Sequence, residues 1–134
     1  HEENVVLSSH LVAFVAFNLL SKLHASLDVY GLLRLPEEDC IIELPLFYKN
    51  LDILRRKLLA LNKAGQIRLS ERVKEDDIDN LAKHGIRNTG VFHVEKALYI
   101  NKEGTLASED MNLLLYYHNR MKGYDLASHI VINL

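Results

Sequence analysis

The chain has 134 residues, 49% of them hydrophobic and 25% charged, the proportions of one soluble globular domain able to bury a core. A net charge of −2 and a pI near 6.4 offer no basic face to nucleic acid. The single cysteine, Cys40, excludes an internal disulfide framework and makes a reducing compartment the default. The chain opens on His1 followed by two acids. That fits neither a natural start nor a signal peptide, so it reads as an excised piece of something longer.

The first predicted helix runs from Ser8 or Ser9 to about Leu27. Its apolar run, Leu11 to Phe17, is seven residues long before Asn18 interrupts it, against the roughly 20 that cross a bilayer. A helix lying in a membrane interface would carry several cations on its polar face, and Lys22 is the only one here. The expectation is therefore a core helix buried on nearly all sides. Asp28 to Leu35 reads as a short helical connection ending before Pro36, and Cys40 to Ile42 as a brief extended piece. Pro45 suits the first turn of a second long helix, where its missing N–H costs nothing. Phe47, Leu51, Leu54, Leu58 and Leu61 then recur at helical spacing, and Gly65 is the stop. Arg55, Arg56 and Lys57 spread round most of the circumference and read as a solvated face.

Gln66 to Leu69 alternates like a strand. Glu75, Asp76 and Asp77 open a helix through about His84, with Ile78, Leu81 and Ala82 inward and Gly85 closing it. Val91 to Val94 and Leu98 to Ile100 alternate again, and Asn101 to Gly104 forms a hairpin-like turn into Thr105 to Ala107. The last helix, Ser108 to Tyr124, carries its own instructions. Ser108 is the expected cap, Glu109 and Asp110 suit the positive end of the macrodipole, and Gly123 ends the run. Leu113, Leu114, Tyr117 and Met121 form an apolar stripe, with Asn112, Asn119 and Lys122 toward water. The final segment, Tyr124 to Leu134, is expected to pair or pack on whatever follows it. The whole predicts one α+β domain over residues 1–134, mainly helical with a small antiparallel sheet or hairpin, its elements in a winged-helix-like order.

A packing helix does not require the consecutive Tyr116, Tyr117, His118, Asn119 and Arg120. From the residues alone this is a hydrogen-bonding cluster with two open readings: a buried network tying the last helix to the rest, or a contact with substrate or lipid. Tyr116 and Arg120 stand at i and i+4, and Arg120 is expected to be a semi-buried charge paired with the first or second long helix.

Leu114 to Met121, L-L-Y-Y-H-N-R-M, after a hairpin and a Ser-Glu-Asp cap, resembles the C-terminal region of the membrane-associated glycerol-3-phosphate acyltransferases. That family includes the dihydroxyacetone-phosphate acyltransferases and carries a similar tyrosine-rich run on a late helix. Asn4 to Ala13, N-V-V-L-S-S-H-L-V-A, is similar to the family's segment entering a helix after the catalytic domain. The resemblance implies a C-terminal accessory domain whose partners are an upstream acyltransferase domain and, through the parent protein, the cytoplasmic side of a membrane. The family reaction moves an acyl group from acyl-CoA or acyl-carrier protein to glycerol 3-phosphate, using a histidine with an aspartate five positions on as general base. None of the seven histidines has aspartate at that position; His24 and Asp28 are one residue short. The resemblance thus assigns no catalytic residue to this stretch.

Other chemistries find no constellation. Cys40 has no neighbouring histidine and reads as a small buried hydrophobe. Asp76, Asp77 and Asp79 look like a helix start, not a metal site. Lys83-His84-Gly85 looks like an ordinary helix end, no glycine-rich phosphate loop follows a strand, and no cofactor is implied. An alternative from a different class is a winged-helix-like interaction module. DNA is a poor partner for it, because the helix from Asp76 to His84 would meet phosphates acid-first. A protein partner survives that objection.

Overall fold

The computed structural model describes residues 5–90, 94–121, 124 and 126–132. The described elements run β1 (Val5–Val6), α1 (Ser8–Leu23), α2 (Val29–Leu33), β2 (Ile41–Ile42), α3 (Leu44–Lys63), β3 (Arg68–Leu69), α4 (Glu71–Glu75), α5 (Ile78–Asn88), β4 (Tyr99–Ile100), β5 (Leu106–Ala107) and α6 (Met111–His118). Short 3-10 turns lie at Glu37–Asp39, Asn119–Met121 and Ala127–His129. The fold is α+β and mainly helical, with a small antiparallel sheet.

α1 is the centre. Leu11, Val12, Ala13, Val15, Ala16 and Leu19 are wholly buried, because α5, α6 and α3 pack around the helix. No described helix is long and apolar enough to cross a membrane. α1 stops at Leu23, short of the expected Leu27. Residues 25–27 are exposed, and Asp28 instead caps α2, its carboxylate accepting from Gly31 N–H at 2.9 Å. With no buried surface to gain, a further turn of α1 has nothing to offset its ordering cost.

α3 follows its sequence closely. Phe47, Leu51, Leu54 and Leu58 are wholly buried. Gly65 takes φ +76°, while Gly65 N–H bonds to Asn62 O and Gln66 N–H to Leu61 O, the glycine-terminated motif that satisfies the last carbonyls. The basic triplet is not one solvated face. Arg56 and Lys57 are exposed, but the Arg55 side chain is only 16% exposed and donates to the Asp76 carbonyl, joining α3 to the entry of α5.

β1 and β3 pair in parallel, Val5 opposite Arg68 and Val6 opposite Leu69. Ser70 then caps α4 by accepting from Val73 N–H at 3.3 Å. In α5, Asp77 is the cap, accepting from Asn80 N–H at 2.8 Å. Gly85 does not close this helix; it lies inside it. A Cβ there would come within 2.7 Å of both the Ser8 carbonyl oxygen and Val12 Cγ1. The glycine lets α5 approach α1, a tertiary role that local spacing does not express.

β2, β5 and β4 form an antiparallel sheet in that order, with Ile42 opposite Leu106 and Ile100 opposite Leu106 on its other side. The hairpin turn is as expected. Gly104 has φ +80°, and Asn101 Oδ1 accepts from Thr105 N–H at 2.9 Å. The expected alternation at Val91 to Val94 falls largely on residues outside those described. Val94 is solvent-exposed.

α6 is capped by Asp110, whose carboxylate accepts from Leu113 N–H at 3.0 Å. Ser108, the expected cap, is buried two residues earlier and accepts from Asp110 N–H at 3.3 Å. Met111, Leu114 and Met121 are buried, while Leu113 and Tyr117 are half-buried. Lys122 and Gly123 lie outside the described residues. The final segment packs on its own chain: Lys22 Nζ donates to Ile130 O at 2.8 Å, and Asn50 of α3 bonds to Val131.

Candidate functional site

The Tyr116 to Arg120 cluster is split by geometry. α6 ends at His118 and the chain tightens into the 3-10 turn Asn119–Met121. His118 turns inward: its ring stacks on Phe17 at 4.8 Å and 20° and tilts against Phe14 at 5.1 Å and 54°. Tyr117 is half-buried, and its ring meets Tyr116 edge-on at 5.7 Å. Burial, with Tyr116 beside it, raises the Tyr117 phenol above its usual pKa. Tyr116, Asn119 and Arg120 are exposed.

The cluster is therefore not one buried network, and Arg120 is not the semi-buried paired charge expected of it. The tighter turn after His118 carries the guanidinium to water, where a long side chain can keep its charge solvated. Arg120 nonetheless acts on α1. The His10 imidazole is held down at about 4, first by burial and then by the Arg120 charge. Neutral His10 accepts from Leu7 N–H through Nδ1 at 3.3 Å, serving the start of α1.

A second histidine lies between α1 and α5. Ser8 Oγ and His84 Nδ1 are 2.8 Å apart, and Asn88 Nδ2 is 3.1 Å from His84 Nε2. Asn88 Nδ2 also lies 3.4 Å from Nδ1, and Ser8 is 3% exposed, so its hydroxyl is closed off from any substrate. This is a helix-to-helix tie and not a nucleophile with its base. Burial and the Arg72 and Arg87 charges lower the His84 pKa, with Asp76 opposing them.

Cys40 is buried beside Glu37, Glu38 and Asp39. Burial first, then those carboxylates, push its thiol up to about 11, so it remains protonated and unreactive at neutral pH. No group of three potential metal ligands occurs among the described residues.

An open groove of about 670 Å³ lies between α5 and β4. Ile86 and Leu98 line its apolar part, and Lys83, Arg87 and Lys96 supply positive charge. Lys83 and Arg87 are one helical turn apart, a spacing visible in the sequence. That Lys96 joins them is not, because it depends on the path from α5 into the sheet. A smaller hollow of about 270 Å³ on the neighbouring face of α5 shares Lys83 and Arg87 and adds Arg72 and His84.

Searches of family models, of curated proteins and of solved structures match this chain to none of them.

Proposed function

We propose that this chain is the non-catalytic C-terminal accessory domain of a glycerol-3-phosphate-type O-acyltransferase. In this reading an upstream domain transfers the acyl group from acyl-CoA or acyl-carrier protein to glycerol 3-phosphate at a membrane surface. The observation that supports it most is the meeting of the two stretches that carry the resemblance. The tyrosine-rich run brings the Arg120 charge to His10, inside the first stretch, and His118 onto Phe14 and Phe17 of α1, just past that stretch, so segments about a hundred residues apart pack together. The chemistry of the histidines favours a supporting role: His10 serves a helix start and His84 ties two helices. The test is acyl transfer from radiolabelled acyl-CoA to glycerol 3-phosphate by the 134-residue chain alone. Turnover above background would remove the non-catalytic assignment.

A second reading, a winged-helix-like protein-interaction module, is favoured by the sheet. A strand before α3 and a hairpin after α5 assemble in the order β2-β5-β4. The N-cap and first turn of α5 are acidic, with Asp77 and Asp79, which favours protein over nucleic acid as the partner. Activity of the parent chain that survives deletion of this segment, with loss of a co-purifying protein, would support this reading over the first.

A further inference from the structure

We infer that the groove between α5 and β4 binds an extended acidic peptide segment, which adds a strand to the outer edge of β4. This inference is independent of the acyltransferase reading. β4 lies at the end of the sheet order β2-β5-β4, so among the described residues one of its edges has no strand beside it. The register shows which backbone groups face that edge. Asn101 N–H donates to Thr105 O at 2.9 Å, and Tyr99 lies opposite Ala107. Bonded pairs in an antiparallel ladder recur at every second residue, so Tyr99 and Asn101 direct their backbone groups to β5 and Ile100 directs its own outward. Leu98, Tyr99 and Ile100 all line the groove. An incoming strand would therefore find a donor and an acceptor at Ile100 beside apolar surface.

Charge selects the kind of strand. Among the described residues that line the groove, three are cations and none is an acid. Of the acids nearby, Asp79 pairs with Lys83 at 3.0 Å and accepts from Tyr48 at 3.0 Å, Glu37 accepts from the Tyr99 hydroxyl, Glu109 accepts from Lys96 N–H at 2.9 Å, and Glu103 acts on Tyr99 by its charge. Arg87 and Lys96 have no ion pair among the described residues, and both are exposed. The Lys96 stem lies across Gly90, where a Cβ would come within 2.8 Å of Lys96 Cγ, which brings its charge to the groove beside Arg87. A strand with carboxylates on alternate residues would pair with Arg87 and Lys96 and turn its other side chains toward Ile86 and Leu98.

The probe is a short alternating Val-Glu peptide, with a Val-Lys peptide and phosphatidic-acid vesicles for comparison. Binding is read by amide NMR shifts and hydrogen exchange of the chain. The expected result is that the Val-Glu peptide shifts the groove residues and protects the Ile100 amide, and that the Val-Lys peptide does not. Arg87→Glu combined with Lys96→Glu should weaken the Val-Glu peptide roughly tenfold or more. Ile100→Pro should leave the fold intact, since that N–H faces away from β5, and should abolish binding. If Ile100→Pro does not fold, Ile100 protection and the charge-reversal variant decide the matter. Equal binding of both peptides, binding unaffected by the charge reversal, or no protection at Ile100 overturns the inference. Ile100 protection that grows with protein concentration without peptide would assign the edge to a second copy. Vesicles shifting the groove where the Val-Glu peptide does not would assign it to a lipid headgroup. Either result also overturns it.

Discussion

Asn50, wholly buried on α3, binds the backbone of Val131 as a neighbouring strand would: its Nδ2 donates to Val131 O at 2.7 Å, and its Oδ1 accepts from Val131 N–H at 2.7 Å. The same amide also donates to Leu46 O at 2.9 Å. One polar side chain in the core thus holds the final segment against α3. Asn50→Ala should leave the Val131 groups without their partners and cost about 2–3 kcal/mol, a fall in Tm of roughly 5–10 °C. Thermal melts check the size. Faster hydrogen exchange at Val131, with the centre of α1 unchanged until global unfolding, checks the location.

Gly85 should not tolerate a methyl group. Alanine gains about 1 kcal/mol of helix propensity over glycine, but here its Cβ would meet the Ser8 carbonyl and Val12. Backbone at that distance cannot rotate away, so α5 must move off α1 at a cost of about 1–3 kcal/mol. Gly85→Ala is expected to be net destabilising in urea unfolding, the opposite of what an ordinary helix interior would give.

His118 and Arg120 should separate cleanly. His118→Ala removes a ring stacked between α6 and α1 and should cost about 1–3 kcal/mol. Arg120→Ala, at an exposed position, should stay within about 0.5 kcal/mol of the parent. Its effect should appear instead at His10, whose pKa rises when the neighbouring cation is removed. An NMR titration of the histidine ring protons measures this.

The pH dependence follows from the same histidine. The folded His10 pKa of about 4 lies below the ordinary value of 6.5, so the unfolded chain takes up the proton first. The contribution of His10 is complete above about 6.5 and is lost as pH falls toward about 4. His84 shifts the same way. Urea midpoints should therefore fall between pH 7 and pH 4.5, and His10→Asn, which keeps an acceptor for Leu7 N–H without a titrating ring, should flatten that fall.

What the sequence made legible was local. Phe47 to Leu58 wrote α3 because one apolar stripe at helical spacing faces one core, and Gly65 and Gly104 marked turns because each has positive φ. α1 was legible as a buried helix from its unbroken apolar run. The misses share a different cause. Gly85 looked like a stop because the reason for a glycine there is a carbonyl on another helix. α4 was not expected because only Val73 of its five residues is buried. Arg120 was expected inside because i to i+4 reasoning assumed that α6 continued, whereas a 3-10 turn changes the direction of every side chain after His118. The groove cations were visible as residues but not as a group, since Lys96 reaches Arg87 only through the folded path of the chain.

The central claim, an accessory domain without catalysis of its own, is tested most directly by comparing this chain with its parent polypeptide in one acyl-transfer assay. The account predicts no lysophosphatidic acid from the chain alone. It predicts formation by the parent, which is abolished by replacing the histidine of an upstream His-x4-Asp block and retained in His84→Gln. Lysophosphatidic acid made by the chain alone, or made by the parent with that upstream histidine removed, would contradict it.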